Sequence, residues 1–242
     1  MEEKEFISEC IKAFELNNIA CAESQAQKLY ALTVRMLEVN KTMNLTAIKD
    51  EKAIILKHYV DSITISPYIP ENSALIDIGC GAGFPSLPLA IFRPDIKITA
   101  LDGTAKRIAY VNETAKYLGL ANLTAISARA EELALTKEYR EQFDIVTARA
   151  VASLPVLCEL CLPYVKLGGN FVAMKSKQAD DELAASRKCI EICGGGEPRK
   201  ISSDLKSDNE ENDQRSLIIV PKIKETPKNY PRHYSKISKK PL

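Results

Sequence analysis

The chain has 242 residues, 45% of them apolar, which is enough for one large domain or for a domain with an appended segment. Its formal net charge of +1 hides a basic end, because residues 221–242 carry seven lysines or arginines and one acidic residue. The sequence begins MEEKE, without the pattern of a signal peptide, and no apolar run approaches the roughly 18 residues of a membrane span. We therefore expect a cytoplasmic protein that does not enter membranes.

The cysteines favour neither a disulfide framework nor a metal site. There are seven, an odd number at irregular spacing. Cys158 and Cys161 form a C-x-x-C, but this pair lies in an apolar helical pattern and no second pair follows at zinc-site spacing. We expect the pair to pack in the core, and we expect no bound metal.

Residues 1–70 predict helices. Apolar residues recur at helical spacing in the first of them, and Ser24 is expected to cap a second, which a loop at 40–45 interrupts. A third helix is predicted over 50–62. His58 lies on its apolar face, where packing is favoured over catalysis.

The pattern that organises the chain is a glycine turn between a strand and a helix. Residues 74–79 predict a buried parallel strand, and residues 85–92 predict the helix that follows. Gly79, Gly81 and Gly83 stand at alternate positions between them. Because glycine has no Cβ and tolerates positive φ, a ligand can approach bare backbone here.

Two acidic residues flank the turn and indicate its ligand. The spacing G-x-G-x-G differs from the dinucleotide fingerprint, and Asp77 stands two residues ahead of the first glycine. An acidic neighbour disfavours pyrophosphate and suits a ligand with a cationic amino-acid end, such as S-adenosylmethionine. Asp102 ends the next predicted strand, where nucleotide-binding α/β folds hold a ribose diol. A glycine turn that binds nothing is the competing interpretation.

From residue 74 onward strands and helices alternate, which predicts a parallel sheet covered on both faces. The predicted strands lie at 74–79, 96–101, 122–127, 143–148, 169–175, 198–203 and 217–220. The predicted helices between them lie near 85–92, 104–118, 153–165 and 177–193. An exposed acidic loop is predicted at 203–213, and the proline-rich end of the chain is expected to be irregular.

Segments along nearly the whole chain resemble one family, the bacterial methyltransferases that make 7-methylguanosine in small-subunit ribosomal RNA, also called the glucose-inhibited division protein B family. The segments are NLTAI (44–48), HYVDS (58–62), IDIGCGAGFP (76–85), LDGTAKR (101–107), ARAEEL (128–133), VTARAVASL (146–154), VAMKS (172–176) and YPR (230–232). Ser86, Gly103 and the stretch 234–237 depart from the family pattern, in which a glycine, a serine and a Gly-Thr-Pro turn are usual.

The resemblance implies an α/β fold, that of the Rossmann-like class I methyltransferases that use S-adenosylmethionine. Its sheet is mostly parallel and seven-stranded, with an antiparallel last strand. The chain would divide into an N-terminal helical extension (1–70), a methyltransferase domain (71–221) and a basic C-terminal tail (222–242). The implied cofactor is S-adenosylmethionine, the implied substrate is 16S ribosomal RNA within the small ribosomal subunit or a precursor particle, and a monomer is expected.

Carried over by position, the resemblance implies that Gly79 and Phe84 contact the cofactor and that Ala130 and Glu131 flank its adenine. It places Arg149 near the cofactor or the target base, as the candidate catalytic residue that positions one of them. Ala130 and Glu131 follow the third predicted strand and Arg149 follows the fourth, at the carboxyl edge where open α/β sheets bind ligands. The competing interpretations are that Glu131 caps a helix and that Arg149 pairs with a surface carboxylate.

The basic tail is the candidate RNA-binding segment. Arg232, Lys236, Lys239 and Lys240 are expected to contact RNA phosphates, and a flexible solvated end is the alternative.

Guanine N7 has a lone pair and no proton, so methyl transfer to it needs no general base and can depend on positioning. Three other functions stay open. The glycine spacing disfavours a nicotinamide-dependent oxidoreductase, the intact acidic and glycine positions disfavour an inactive RNA-binding factor, and the basic tail disfavours a small-molecule methyltransferase.

Overall fold

The computed structural model describes residues 1–175, 179–208 and 213–242. The predicted helix start at 177 and part of the predicted acidic loop, 209–212, lie outside these residues. The strands are β1 (Ala74–Ile78), β2 (Lys97–Asp102), β3 (Leu123–Ser127), β4 (Phe143–Arg149), β5 (Val165–Lys175), β6 (Arg199–Leu205) and β7 (Asp213–Pro221). The helices are α1 (Glu3–Leu16), α2 (Glu23–Met43), α3 (Glu51–Ile54), α4 (Asp61–Ile63), α5 (Ser86–Phe92), α6 (Ala105–Tyr117), α7 (Ala130–Leu133), α8 (Leu154–Cys161), α9 (Ala179–Ile192) and α10 (Tyr234–Lys239).

The described strands form one sheet in the order β3-β2-β1-β4-β5-β7-β6. The first five strands in this order are parallel, and β7 is antiparallel to both of its neighbours. This confirms the predicted mostly parallel sheet with an antiparallel last strand. Because the strand order reverses at β1, the carboxyl ends of β1, β2 and β4 meet at a switch point, where sheets of this kind bind ligands.

Each face of the sheet has its own apolar core, since side chains alternate along a strand. Leu75 packs with the N-terminal helices, α5 and α6, whereas Ile76 packs with α7 to α10. The buried side chains of the N-terminal region, among them Phe6, Phe14 and Tyr59, therefore share one continuous core with the sheet. That shared core fixes the N-terminal helices relative to the carboxyl edge.

The predicted third helix is confirmed, but it is not uniform. Asp50 caps it, its side chain accepting a hydrogen bond of 2.8 Å from the backbone N–H of Ala53. Between α3 and α4 the chain makes a π-helical turn, Ile55–Val60. Such turns add a residue to the helix and re-aim side chains, and they are frequent at functional sites.

Two boundaries in the N-terminal region differ from the prediction. Ala22, not Ser24, precedes α2, and the side chain of Gln25 accepts the backbone N–H of Ala22. The helix also continues to Met43 through most of the predicted loop at 40–45, and it ends at Asn44, which has φ +51°. Asparagine tolerates this left-handed conformation, which suits it to the position that terminates α2.

The last two strands are longer than predicted. They form a hairpin whose pairing extends from Arg199↔Ile219 to Leu205↔Asp213, so residues 203–205 and 213 belong to strands and not to a loop. Five of the seven residues of β6 are exposed, and polar side chains suit an edge strand.

The end of α8 and the start of β5 also differ from the predicted boundaries. The predicted helix at 153–165 stops as an α-helix at Cys161 and continues as a 3-10 turn, Leu162–Tyr164. Pro163 has no N–H to continue the α-helical hydrogen bonds. β5 then begins at Val165 instead of 169.

Cysteine packing follows the prediction for the C-x-x-C pair. Cys158 and Cys161 are buried in α8 as free thiols. Of the seven cysteines, all of which the structure describes, Cys21 alone is partly exposed. Within the described ranges, no cluster of three or more His, Cys, Asp or Glu side chains could hold a metal ion. In that same part of the chain, no helix has both the length and the apolar character needed to cross a membrane.

The C-terminal tail has irregular backbone through residues 223–233, as predicted, but it is partly buried and so is not the solvated end that was the alternative. Lys222, its first basic residue, is 1% exposed. Its ammonium donates to the carbonyl of Leu162 at 2.7 Å and lies 3.1 Å from the carboxylate of Glu141. Burial lowers the pKa of Lys222, and the charge of Glu141 opposes this. Lys222 therefore stabilises the fold and cannot bind a phosphate.

The tail crosses the molecule from one edge of the sheet to the other. It leaves β7 at the amino edge, where Arg140 donates to the carbonyls of Thr226 and Tyr230. It then passes over α8 and ends in α10, a helix that the proline content did not predict. Tyr234, the first residue of α10, lies under the guanidinium of Arg129 at the carboxyl edge, 5.0 Å from its central carbon.

An ion pair holds this path in place. Glu159 of α8 is fully buried, and Arg232 donates to it through Nε at 2.8 Å, Nη2 at 2.6 Å and its backbone N–H at 2.9 Å. A carboxylate buried this completely needs its partner, since an unpaired charge in the interior is costly.

We expect Arg232→Ala to destabilise the protein by about 3–5 kcal/mol, because it leaves the Glu159 carboxylate buried and unpaired. Urea unfolding measures the change. Lys239→Ala, which alters an exposed residue of the same tail, is the matched control and should stay within about 0.5 kcal/mol of the wild type. An equal, small effect of both substitutions would contradict the structural role of the ion pair.

Candidate active site

The glycine turn after β1 is tied to the end of β2. The carbonyl of Leu101 accepts the backbone N–H groups of Gly79 and Cys80, at 2.7 and 2.9 Å. Gly79, Gly81 and Gly83 have φ angles of +77°, +57° and +89°, as the sequence led us to expect of a sharp turn. A Cβ at Gly81 would meet nothing within 4 Å, so the turn is open on this side. A ligand can therefore lie directly on the backbone there.

The carboxylate of Asp77 lies fully buried beneath this turn. Oδ2 accepts a 2.6 Å hydrogen bond from the Ser86 hydroxyl, whereas Oδ1 has no partner among the described residues. Burial raises the pKa of Asp77 to about 7, against the influence of the Ser86 hydrogen bond and of Arg149. A buried acceptor without a partner fits a cationic donor that a ligand would bring.

Asp102, at the carboxyl end of β2, orders the neighbouring backbone. One oxygen accepts the N–H of Gly81 at 3.1 Å, and the other accepts the N–H of Thr104 at 2.8 Å. Arg107 lies 3.8 Å from the same carboxylate. The side chain is nearly buried and still lies at the edge where the predicted ribose contact would form.

The third strand ends beside these groups in the short helix α7. Ala130 begins that helix, and its carbonyl accepts a 2.7 Å hydrogen bond from the hydroxyl of Tyr164. Glu131 is buried and lies 3.4 Å from Nε of Arg129. The Arg129 side chain also passes over Gly103, 3.5 Å from where a Cβ would be. The strand ends thus bring together the residues expected around a nucleoside.

Phe84 lies between the glycine turn and the N-terminal helices. Its ring stacks on His58, with centroids 4.6 Å apart and planes 7° apart, and the guanidinium of Arg149 lies 5.4 Å from its centroid. Burial lowers the pKa of His58 to about 4, and the charge of Arg149 adds to this. The imidazole is therefore neutral at pH 7.

The tautomer of His58 follows from its contacts. Nδ1 faces Nη2 of Arg149 at 3.4 Å and must accept, so Nε2 carries the proton and donates to the Thr46 hydroxyl at 2.8 Å. This fixes the ring and supports the prediction that His58 packs, here on a residue of the site.

Two charged residues of this site were not singled out from the sequence, Asp61 and Arg215. Asp61 is 6% exposed and follows the π-helical turn. One of its oxygens accepts from Nη1 of Arg149 at 3.0 Å and the other from Nε of Arg215 at 3.1 Å. Arg149 does pair with a carboxylate, but with a buried one and not with the surface carboxylate that was its alternative. The HYVDS segment was the signal that could have directed attention to Asp61.

These residues line a cavity of about 370 Å³ over the carboxyl ends of β4 and β5. Its walls include Lys57, His58, Asp61, Arg149, Met174, Lys175, Glu182 and Arg215. Cationic side chains outnumber carboxylates there, which suits a polyanion or an electron-rich ring. The carboxyl edge thus has two adjoining parts, an open glycine turn with a buried acid and a basic cavity, with Phe84 and Arg149 between them.

The tail residues predicted to bind RNA divide into two kinds. The guanidinium of Arg232 is engaged with Glu159, whereas Lys236, Lys239 and Lys240 are exposed on and just after α10. Arg232 therefore has a structural role in addition to the predicted contact with RNA. The three lysines are accessible to solvent.

Comparisons with solved structures agree with this architecture. An S-adenosylmethionine-dependent O-methyltransferase from Thermotoga maritima has a TM-score of 0.52 at 16% identity, over 78% of this chain and 72% of its own. The precorrin-6y C5,15-methyltransferase of Geobacter metallireducens has a TM-score of 0.51 at 18% identity, over 75% of this chain and 92% of its own. At these identities the likeness shows the fold, which is that of the Rossmann-like class I methyltransferases.

Comparisons of sequence are more specific. The family model GidB, described as rRNA small subunit methyltransferase G, matches residues 24–209. A ribosomal RNA small subunit methyltransferase G from Acetivibrio thermocellus is 46% identical over 222 residues, 91% of this chain and 90% of the relative. One from Lactobacillus acidophilus is 41% identical over the full length of both chains. The resemblance seen in the sequence is confirmed, and the chain belongs to the rRNA small subunit methyltransferase G family.

Proposed function

We propose that this protein transfers a methyl group from S-adenosylmethionine to N7 of a guanine in 16S ribosomal RNA. The observation that carries the proposal is the two-part carboxyl edge, in which the glycine turn over Asp77 adjoins the basic cavity at Arg149. Family membership supplies the reaction class and the RNA substrate. We take the substrate to be the small ribosomal subunit or a precursor, acted on by a monomer.

The residues in and beside the glycine turn fit the cofactor. Asp77 offers a buried acceptor for the amine of S-adenosylmethionine, and the open backbone at Gly81 leaves room for the amino-acid portion of the cofactor. Asp102 can accept hydrogen bonds from the ribose hydroxyls of the cofactor. The remaining contacts in this proposal come from Gly79, Gly83, Phe84, Ala130, Glu131 and Arg149. When bound, S-adenosylmethionine supplies a methyl group on a positively charged sulfur, whose departure leaves a neutral thioether.

The chain's task in this reaction is to hold and orient, because N7 of guanine attacks with its own lone pair. No proton has to leave the nucleophile, so the site needs no general base. His58, with its pKa lowered to about 4, is suited to packing and to fixing Arg149 rather than to taking up a proton. Correct orientation of two reactants alone can be worth about 7–11 kcal/mol.

The direct test is mass mapping of 16S ribosomal RNA from cells with and without the protein, followed by reconstitution. Purified protein, S-adenosylmethionine and small subunits from the deletion strain should restore one 7-methylguanosine. Naked 16S transcript in parallel separates RNA from the particle as substrate. Methylation of neither, with tight cofactor binding intact, would indicate a small-molecule methyltransferase instead, and binding of a nicotinamide dinucleotide in place of S-adenosylmethionine would indicate an oxidoreductase.

The raised pKa of Asp77 makes cofactor binding depend on pH. A cationic amine binds the carboxylate and not the carboxylic acid, so binding lowers this pKa and releases a proton. From about pH 5 to about pH 7 affinity should rise by roughly tenfold per pH unit, and it should level off above pH 7. Titration calorimetry in two buffers of different ionisation enthalpy measures both affinity and proton release.

The control variants for this titration are Asp77→Asn and Asp204→Asn. Asp77→Asn should bind weakly with no pH slope, whereas Asp204→Asn changes an exposed acid of β6 and should retain the wild-type slope. A wild-type affinity that does not change between pH 5 and pH 7 would show that Asp77 does not receive the amine.

Lys236, Lys239 and Lys240 are proposed to contact RNA phosphates. α10 begins beside Arg129 at the carboxyl edge, and its exposed lysines lie within about two helical turns of that point. Replacing all three by alanine should flatten the slope of log affinity against log salt by up to about 2 units.

Cofactor affinity should stay unchanged in this triple variant. The matched control replaces Lys97, Lys116 and Lys137, three exposed lysines toward the amino edge, and should leave the salt slope as it is. If both triple variants change the slope equally, the tail lysines act only through net charge.

A further inference from the structure

The carboxylate of Asp61 joins two arginines that lie far apart in the sequence. Arg149 ends β4 and Arg215 lies in β7, and each donates to a different oxygen of Asp61. Arg149 also donates to the carbonyl of Lys57 at 3.2 Å, within the π-helical turn that precedes Asp61. The N-terminal helices thereby supply the anion between two cations of the sheet.

Among the residues that the structure describes, the other charged groups around this carboxylate are paired, and the nearby histidine is neutral. Lys175 lies 2.6 Å from Glu182, and Lys57 lies 3.1 Å from Asp213. Asp213 also lies 3.8 Å from Nη2 of Arg215. His58 adds no charge, because burial and Arg149 lower its pKa. Within the described part of the cavity wall, Asp61 is thus the carboxylate that contacts both arginines, whereas Asp213 lies near Arg215 alone.

We propose that Asp61 is a positioning residue that orients Arg149 and Arg215 and offsets their charge, so that the cavity can hold a guanine as it becomes cationic. The inference rests on the proposed function. It adds a residue that acts through two others and makes no contact with the transferred group.

The charge changes during methyl transfer explain why the negative charge of Asp61 matters. The N7 lone pair forms the new bond to carbon, the sulfur–carbon bond breaks, and its electron pair stays on sulfur. No proton moves, and one unit of positive charge passes from sulfur to the imidazole ring of guanine. A carboxylate near that ring stabilises the transition state more than the ground state, and uncompensated guanidinium groups do the opposite.

Extra positive charge in the cavity disfavours the methyl-transfer transition state but favours the binding of RNA. Phosphates are attracted by the arginines, so a cavity with more positive charge should bind the polyanion at least as well. Loss of the Asp61 charge should therefore separate binding from chemistry. Loss of a purely structural anchor would instead weaken binding and folding together.

The experiment uses Asp61→Asn, which keeps the shape of the side chain and removes its charge. With small subunits from a deletion strain as substrate, kcat should fall by about tenfold to a hundredfold, the size of one unit charge several ångströms away at intermediate dielectric. KM for the subunit should be unchanged or lower. S-adenosylmethionine affinity and the thermal unfolding midpoint show whether the variant is folded.

A second variant restores the charge balance. Asp61→Asn combined with Arg215→Gln returns the cavity to the wild-type net charge and should recover most of the lost kcat. The matched control is Asp95→Asn, which breaks an ion pair with Arg93 at the amino edge of the sheet and should leave kcat unchanged.

The proposal for Asp61 is overturned if its replacement raises KM without lowering kcat, or if the double variant recovers nothing. Failure of the proposed function gives a different result, since the wild-type protein would then not methylate the subunit at all.

Discussion

The attachment of the glycine turn to the end of β2 is the constraint on which the rest of the site depends. Leu101 accepts two backbone N–H groups of the turn through its carbonyl, and the next residue, Asp102, accepts a third through its side chain. The turn is therefore held by the neighbouring strand and not only by its own. Asp77 is enclosed beneath it, and Phe84 is presented at its far end, where it meets His58 and Arg149.

The N-terminal helices complete the site that the sheet begins. They contribute Lys57, His58 and Asp61 to the cavity, all from within or just after the π-helical turn. Their apolar side chains belong to the same core as one face of the sheet, so these polar groups are fixed by packing rather than by their own contacts alone. The carboxyl edge would otherwise present Arg149 and Arg215 without the anion between them.

What could be predicted from the sequence is local in the chain. The glycine turn, Asp77 and Asp102 are read within one strand–turn–helix unit and the strand that follows, and the alternation of elements predicts a parallel sheet. The pairing of Asp61 with Arg215 spans 154 residues and depends on β7 lying inside the sheet, which no local pattern reveals. Lys222 shows the same limit: it belongs to a basic stretch, but its ammonium is held by Thr226 and by Leu162, Cys193 and Glu141, which lie far away in the chain.

The burial of six cysteines leaves Cys21 as a site for selective labelling with a spectroscopic probe. Cys21 lies in the connection between α1 and α2, and the neighbouring thiol of Cys10 lowers its pKa, which favours the reactive thiolate. The other six thiols are enclosed in the core. A maleimide dye should therefore mark a single position on the native chain without any cysteine being replaced. That position lies between the first two N-terminal helices, from which energy transfer to labelled ribosomal RNA can report how the enzyme approaches its substrate.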